Sequence, residues 1–422
     1  MLLRAYARIA MGRRPRLTHT TLATALSLVL SVLVSATLAI GAALGPAAAE
    51  SRSAAQIARQ GGLPTTIAQQ AVIMDAASGA ILFQHNADEL TAPDGLSKLM
   101  TLAVAFKAIK SGKIKLTDEI KMSVNAWRHG GAPSGWTAMF VPVNTSEPME
   151  TLLQGIVVQS GNDATMAVAE ALAGSEAKFA ERMTQEARRI GLDRSKFTNA
   201  TGLPDETQQT TARELALLAL HLMREYPEFY PRFAQKELNY RKFRFINDNP
   251  LLGTLGVDGL KTGYVKKEGF GLIASGNKDG RRLILVMMGL PKKSDVRTEG
   301  HRLLEWGFAS IAEYKLFDKD EVVAKARVWG GDRMWLPLVG DGPVTVVLPK
   351  YPPNPKLKAE LVYKRPLKTP IRKGDKVATL RVTSPSQSVS EVPLYAAEDV
   401  QPGGIVRRGL DTIVDLTLGW AL

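Results

Sequence analysis

Three short motifs in the chain carry side chains that could together perform acyl transfer. They are Gly95-Leu96-Ser97-Lys98, Ser160-Gly161-Asn162 and Lys261-Thr262-Gly263. A lysine that is kept neutral by burial and by a nearby cation can remove the proton of a serine hydroxyl. Lys98 fits the role of that base, and Lys261 fits the role of the cation. A serine nucleophile would lie three residues before the lysine, one helical turn away, but that residue is Gly95.

Two other serines could replace the missing hydroxyl, and neither has suitable geometry. Ser97 is adjacent to Lys98 in the chain, and side chains one residue apart on a helix do not face each other. The segment "SGNK" begins at Ser275 and also places a serine three residues before a lysine. It lies at the end of a predicted strand rather than on a helix. Neither serine is therefore assigned as the nucleophile.

The absence of a hydroxyl at position 95 predicts a site that binds its substrate but cannot be acylated. Removal of the nucleophile from a comparable serine enzyme costs on the order of 10⁶ in rate, roughly 8 kcal/mol. Gly95 retains its backbone N–H, so substrate binding need not suffer. We interpret the glycine as a natural variant; an engineered substitution and a sequence error are the alternatives.

The segments around the motifs predict an antiparallel sheet covered by helices, which is an α+β domain at residues 50–317. The runs "AVIMDAASGAILFQHNA" and "FGLIASGNKDGRRLILVMMGL" are typical of hairpins. "LSKLMTLAVAFKAIKSG" predicts a helix buried on most sides, with Asp94 as its N-cap. Two further helices are predicted in "NDATMAVAEALAG" and "TARELALLALHLMREY".

The character of the chain changes after this domain. Short strand-like runs separated by glycine and proline predict a small all-β domain at residues 318–400. Residues 403–422 have helical periodicity, with Val406 and Leu410 on one side and Arg407 and Asp411 on the other. This amphipathic pattern, with Trp420 near its end, favours a helix lying on a membrane surface. Docking of the helix on its own protein is the alternative.

Residues 1–49 have the three-part pattern of a secretory signal peptide. Five arginines precede a long apolar run, and Ala47 and Ala49 form an A-x-A cleavage site before Glu50. An uncleaved membrane anchor is the alternative, and both interpretations export the rest of the chain. We therefore expect a periplasmic protein, peripheral on the outer face of the inner membrane.

Composition excludes several functional classes. The chain has no cysteine, which rules out disulfides, thiolate metal sites and a cysteine nucleophile. Its five histidines show no H-E-x-x-H spacing, so we expect no metal and no zinc carboxypeptidase. The net charge is +13, of which the five leader arginines carry +5, leaving +8. That excess is not clustered with aromatic residues, so no nucleic-acid partner is expected.

The three motifs and their order resemble the set S-x-x-K, S-D-N and K-T-G of penicillin-recognising serine enzymes. Beyond the motifs, the chain resembles the low-molecular-weight penicillin-binding proteins that are D-alanyl-D-alanine carboxypeptidases, the S11 serine peptidases. The resemblance covers nearly everything after residue 49. It includes "IMDAASGAILFQHNADE", "SKLMT", "IVVQSGNDA", "FTNATGL", "TARELALLA", "GVDGLKTGY", "GLIASG", "LLEWGF" and "ARVWGG". It implies a β-lactamase/transpeptidase-like domain followed by the all-β domain and the tail helix.

The resemblance also implies roles for the site residues. Ser160 and Asn162 would relay protons and hold the substrate amide, while Thr262 and Lys261, followed by Gly263, would hold the terminal carboxylate of a peptidoglycan stem peptide. Backbone N–H groups near positions 95 and 264 would form the oxyanion hole. In the family an arginine also contacts the carboxylate, and Arg297 lies in the corresponding region with its spacing shifted by one.

Three functions follow from these residues. The first is a D-alanyl-D-alanine carboxypeptidase without its nucleophile, which would bind β-lactams at most non-covalently and need no cofactor. The second is a catalytically inactive homologue that binds peptidoglycan or serves as a scaffold. The third, a β-lactamase, is disfavoured because Ser160-Gly161-Asn162 replaces S-D-N and because a second domain follows.

Overall fold

The computed structural model describes residues 63–265, 267–350, 356–384, 388–405, 407–409 and 411–412. The α-helices of this part are α1 (Lys98–Lys110), α2 (Val124–Gly130), α3 (Met149–Val158), α4 (Asn162–Ala173), α5 (Glu176–Arg189), α6 (Ala212–Glu225) and α7 (Lys293–Ser310). Short 3-10 helices lie at Asp94–Ser97, Ala132–Ser134 and Tyr230–Ala234.

Its strands fall into two groups. The first domain contains β1 (Gln70–Asp75), β2 (Ile81–His85), β3 (Glu119–Lys121), β4 (Ser146–Pro148), β5 (Glu237–Tyr240), β6 (Phe243–Ile246), β7 (Val257–Val265), β8 (Gly269–Lys278) and β9 (Arg281–Leu290). After α7 follow β10 (Ile311–Phe317), β11 (Ala324–Trp329), β12 (Trp335–Val339), β13 (Val344–Pro349), β14 (Lys358–Val362), β15 (Leu367–Lys368), β16 (Lys376–Thr383) and β17 (Val389–Ala396).

The first domain is built on an antiparallel sheet with strand order β2-β1-β9-β8-β7. Successive side chains of a strand point to opposite faces, and both faces of β1 are buried. Val72 and Met74 belong to the apolar core formed with α1, α3 and α6, whereas Ala71 and Ile73 belong to the core formed with α7. The sheet therefore lies between two helical layers, and the α+β prediction with its two hairpins is confirmed.

The second unit is an all-β domain, as predicted. Strand β10 pairs with β13, and β14, β16, β17, β12, β11 and β15 form a connected sheet around a third apolar core. The pairing of β10 assigns residues 311–317 to this unit, ahead of the boundary expected at residue 318. Val389 of β17 pairs with Ile81 of β2 and links the two sheets.

The predicted tail helix of residues 403–422 lies mostly outside the described residues. Residues 405, 407–409 and 411–412 are helical. Within them, Asp411 is buried, and its Oδ2 accepts a hydrogen bond of 2.9 Å from the Gly330 backbone N–H. The start of this segment therefore docks on the all-β domain through a side chain that we had assigned to the polar face.

No helix in the part of the chain that the structure describes has the length and apolar character needed to cross a bilayer. The predicted signal peptide at residues 1–49 lies outside that part.

Candidate active site

The turn before α1 places Gly95 and Lys98 on one side of a cleft. Residues Asp94–Ser97 form a 3-10 helix that runs directly into α1. The prediction that Asp94 caps the N-terminus of α1 is wrong. No side-chain hydrogen bond caps the start of the 3-10 helix or of α1. The φ of 50° at Asp94 lies in the left-handed region, and its buried Oδ1 has no hydrogen-bond partner among the residues that the structure describes. Burial raises the pKa of the Asp94 carboxyl to about 7, with a smaller contribution from Glu268.

A side chain at position 95 would fit the surrounding structure. A β-carbon built on Gly95 would lie 3.4 Å from Gly263 Cα and 3.5 Å from the Thr262 carbonyl oxygen, which are ordinary van der Waals contacts. The backbone at Gly95 is also outside the left-handed region, so nothing in its conformation demands glycine. A β-carbon at position 95 therefore requires no movement of its neighbours.

Two other glycines bring the walls of the site together. A β-carbon at Gly202 would lie 1.8 Å from the Asp94 carbonyl oxygen, and one at Gly263 would lie 3.1 Å from the Leu96 nitrogen. Gly202 also has a φ of 78°. Only glycine permits so close an approach at position 202. The loop after α5 and strand β7 can therefore pack directly against the start of α1.

Lys98 has the environment of a neutral amine. It is buried, and its Nζ donates a hydrogen bond of 2.5 Å to the Thr201 carbonyl oxygen. Burial and, to a smaller extent, the charge of Lys261 lower the pKa of Lys98 to about 7 against an opposing contribution from Glu176. The loss of solvation disfavours the charged form. Near neutral pH a large fraction of Lys98 is therefore available to accept a proton.

Lys261 and Ser160 are in direct contact. Lys261 lies on β7, and its buried Nζ donates hydrogen bonds to Ser160 Oγ and, at 3.4 Å, to the Val157 carbonyl oxygen. Ser160 adopts a φ of 57° between α3 and α4, which turns the chain into the site. Burial lowers the pKa of Lys261 to about 8, opposed by Asp248. The pair could pass a proton between the strand and the cleft.

Asn162 is the first residue of α4, and it lines the cleft. Its backbone N–H donates a hydrogen bond of 2.9 Å to the Thr137 carbonyl oxygen, while its buried Oδ1 has no partner within the described part of the chain. A buried acceptor without a partner is costly, and a substrate N–H would satisfy it. The next residue, Asp163, accepts hydrogen bonds from the backbone N–H groups of Met139 (2.8 Å) and Val141 (3.1 Å), which fixes the facing wall.

The cleft has a volume of about 490 Å³ and brings most of the predicted residues together. Those that line it are Gly95, Lys98, Ser160, Asn162, Thr262 and Gly263. Lys261 is buried and contacts Ser160. Trp136 and Tyr264, which are about half exposed, and Phe270 also line the cleft.

Arg297 is not among the residues that line this cleft, and its contact with a substrate carboxylate stays a prediction. It is exposed on α7, whereas Val296 and Lys293 of the same helix line the cleft. Lys293 is paired with Asp248 at 3.0 Å. The basic side chain of α7 that lines the cleft is therefore Lys293, one helical turn before Arg297.

The two alternative serines lie outside the lining of the cleft. Ser97 is buried, and its Oγ has no hydrogen-bond partner in the described ranges. This oxygen lies 2.5 Å from the place that a β-carbon on Gly202 would take. Ser275 is buried on β8 and accepts a hydrogen bond of 2.9 Å from Arg282. Within the described residues, no group of three or more potential ligands could hold a metal ion.

This geometry defines a penicillin-binding-protein fold of the transpeptidase type, with a buried lysine, a lysine-serine contact and an asparagine around one cleft. The sequence profile described as D-alanyl-D-alanine carboxypeptidase, Peptidase S11, matches residues 56–292. The profile of the penicillin-binding protein 5 C-terminal domain matches residues 312–402. The chain belongs to the S11 D-alanyl-D-alanine carboxypeptidase family.

Individual relatives agree with this assignment. The chain is 34% identical over 355 residues to D-alanyl-D-alanine carboxypeptidase DacA of Haemophilus influenzae, covering 83% of this chain and 90% of the relative. It is 35% identical over 355 residues to DacC of Escherichia coli, covering 83% and 88%. The crystal structure of penicillin binding protein 5 from Haemophilus influenzae superposes with a TM-score of 0.66 at 33% identity, covering 80% and 99%.

Proposed function

We propose that the chain binds peptidoglycan stem peptides ending in D-Ala-D-Ala in this cleft, and that neither these peptides nor β-lactams acylate it. The observation that carries the proposal is the combination of an assembled site with Gly95. Lys98, Ser160 and Asn162 surround a position that lacks only the hydroxyl. Membership of the carboxypeptidase family supports the substrate class.

Each group would retain its binding role without a nucleophile. The unpartnered Oδ1 of Asn162 would accept a hydrogen bond from the substrate amide. Thr262 would donate to the terminal carboxylate, with Lys261 supplying positive charge behind it. Backbone N–H groups of Gly95 and Tyr264 would hold the carbonyl oxygen of the scissile bond. Removal of a hydroxyl from position 95 deletes none of these interactions.

A paired measurement tests the proposal. Fluorescent penicillin is incubated with the purified protein and with G95S, and labelling is read after denaturing electrophoresis. We expect a covalent band for G95S and none for the wild type. Calorimetry with an N-acetylated tripeptide ending in D-Ala-D-Ala should show saturable binding to both proteins. A covalent band on the wild type, or no tripeptide binding, would contradict the proposal.

The export and membrane association expected from the sequence are also proposed here. The leader pattern at residues 1–49 supports export, and the amphipathic pattern at residues 403–422 supports a peripheral position on the outer face of the inner membrane. Fractionation of cells after spheroplast formation tests both points. Recovery of the protein in the cytoplasmic fraction would contradict export, whereas loss of membrane association after deletion of residues 413–422 would support the role of the tail.

A further inference from the structure

The space beside Gly95 is polar enough and large enough for a small nucleophile. The nearest atoms to the place of a β-carbon are Gly263 Cα at 3.4 Å and the Thr262 carbonyl oxygen at 3.5 Å. Lys98 lies one helical turn further on and lines the same cleft. A bound water needs a small polar space and at least two hydrogen-bond partners. The Thr262 carbonyl oxygen borders this space, and the Lys98 amine, which lines the same cleft, would be the second partner.

We propose that a water molecule held between Lys98 and the Thr262 carbonyl beside Gly95 acts as the nucleophile, so that the chain hydrolyses D-Ala-D-Ala peptides slowly in one displacement, without an acyl-enzyme. This proposal rests on the proposed function, since the peptide must first occupy the cleft. It adds an activity that binding alone does not provide.

The reaction is balanced with the residues of the cleft and one water. The neutral amine of Lys98 takes a proton from the water as its oxygen bonds to the carbonyl carbon of the penultimate D-alanine. The carbonyl electron pair moves onto its oxygen, which the N–H groups of Gly95 and Tyr264 stabilise. As the C–N bond breaks, the leaving nitrogen takes a proton from Ser160, which regains one from the ammonium of Lys261. Lys98 then releases its proton to solvent and Lys261 takes one up from solvent, which restores both side chains. The products are free D-alanine and the shortened peptide.

The charge states required near pH 7 agree with the environment of the two lysines. The pKa of Lys98 is lowered to about 7, so much of the amine is neutral and can act as a base. The pKa of Lys261 is lowered to about 8, so most of it remains protonated and can supply the second proton. General base catalysis of this kind contributes about 10² to 10⁴ in rate.

Single-turnover release of D-alanine tests this proposal. The protein, in excess over the N-acetylated tripeptide, is first treated with benzylpenicillin and freed of the drug, so that contaminating serine enzymes remain inactivated. The wild type is compared with K98M and G95A, and S97A serves as a control outside the proposed chemistry. The alanine β-carbon fits at position 95 without a clash but takes the place of the water. We expect K98M and G95A to release D-alanine about 10²-fold or more slowly than the wild type, and S97A to match the wild type.

Two further measurements, transfer to glycine and binding of the tripeptide, distinguish a failure of this inference from a failure of the proposed function. Excess glycine should not be incorporated into the product by the wild type, because no acyl-enzyme is available for transfer. Equal release by the wild type, K98M and G95A, or transfer to glycine, would overturn the proposal. Calorimetric binding of the tripeptide is measured on the same samples. Binding without Lys98-dependent release would overturn this inference while leaving the proposed function intact, and an absence of binding would overturn both.

Discussion

The amine of Lys98 donates a hydrogen bond to the backbone carbonyl of Thr201, and this contact holds the base without any help from residue 95. The acceptor is neutral, so it orients the amine without stabilising the ammonium form as a carboxylate would. Gly202 allows the loop that carries Thr201 to pack against the helix start. The proton-accepting part of the site is therefore preserved in a chain that has no hydroxyl at its centre.

Substitution of Gly95 by serine should restore acylation and D-alanine release. The position accepts a β-carbon at ordinary contact distance, and Lys98 lies one turn away. We expect the release rate to rise on the order of 10⁶-fold, the cost of a deleted nucleophile in a comparable enzyme. Steady-state release of D-alanine from the tripeptide measures this change. G95A is the matched control, and if G95S released D-alanine no faster than G95A, the site would lack more than the hydroxyl.

The activity of G95S should depend on pH through both lysines. Lys98 must be neutral to act as a base, so kcat/KM should rise about tenfold per pH unit below pH 7 and then level off. Lys261 must be protonated to supply a proton, so kcat/KM should fall above about pH 8. Initial rates between pH 5 and 10 give this profile. A rate that remained constant from pH 5 to 7 would show that Lys98 is not the base.

Replacement of Lys98 by methionine should stabilise the fold, most of all at neutral and lower pH. The pKa of Lys98 is lowered from 10.5 to about 7 in the folded state. As the pH falls from 10.5 to 7, the unfolded chain binds a proton that the folded chain does not, which favours unfolding. The penalty is complete below pH 7, at roughly 5 kcal/mol as an upper limit, and absent above pH 10.5.

Thermal unfolding of K98M at pH 7 and at pH 10.5 measures this effect. We expect Tm to exceed that of the wild type by several degrees at pH 7 and the difference to shrink at pH 10.5. The exposed Lys178 provides the control, since K178M should shift Tm by about a degree or less. A Tm difference for K98M that grows with pH would contradict the assigned direction.

Lys293, rather than Arg297, should contribute to recognition of the substrate carboxylate. Lys293 lines the cleft and forms an exposed pair with Asp248, which costs little to rearrange. We expect K293A to raise the Kd of the tripeptide about tenfold, the loss of one hydrogen bond to a charged group. R297A should leave the Kd unchanged. With a tripeptide amide, which lacks the carboxylate, K293A should not change the Kd. If R297A raised the Kd of the tripeptide more than K293A did, Arg297 would be the residue that recognises the carboxylate.

The sequence predicts the layers of the fold well because its periodic patterns are strong. The alternation of Val72 and Met74 with Ala71 and Ile73 reflects a strand buried on both faces, and Thr211 caps α6 by accepting from the Glu214 N–H. The Asp94 prediction fails because a left-handed residue and a 3-10 turn precede α1. This turn packs against Gly202, which is distant in the sequence. Local residue propensities cannot predict such a tertiary contact.

The sequence predicts which residues come together in the cleft, but not the contacts that support them. Motif spacing identifies Lys98, Ser160 and Lys261, yet no pattern within the sequence shows that the Thr201 carbonyl receives the Lys98 amine. That contact joins residues 103 positions apart. Whether Arg297 or Lys293 faces the cleft likewise depends on the rotation of α7 about its axis. Because the spacing around Arg297 is shifted by one residue, the sequence does not determine this rotation.

The mass of the intact protein after incubation with benzylpenicillin tests the central claim most directly. Wild type and G95S are incubated in parallel with excess drug, and each is weighed by mass spectrometry. We predict that G95S gains the mass of one penicilloyl group while the wild type keeps its unmodified mass. A penicilloyl adduct on the wild-type protein within the cleft would show that the chain possesses a nucleophile after all.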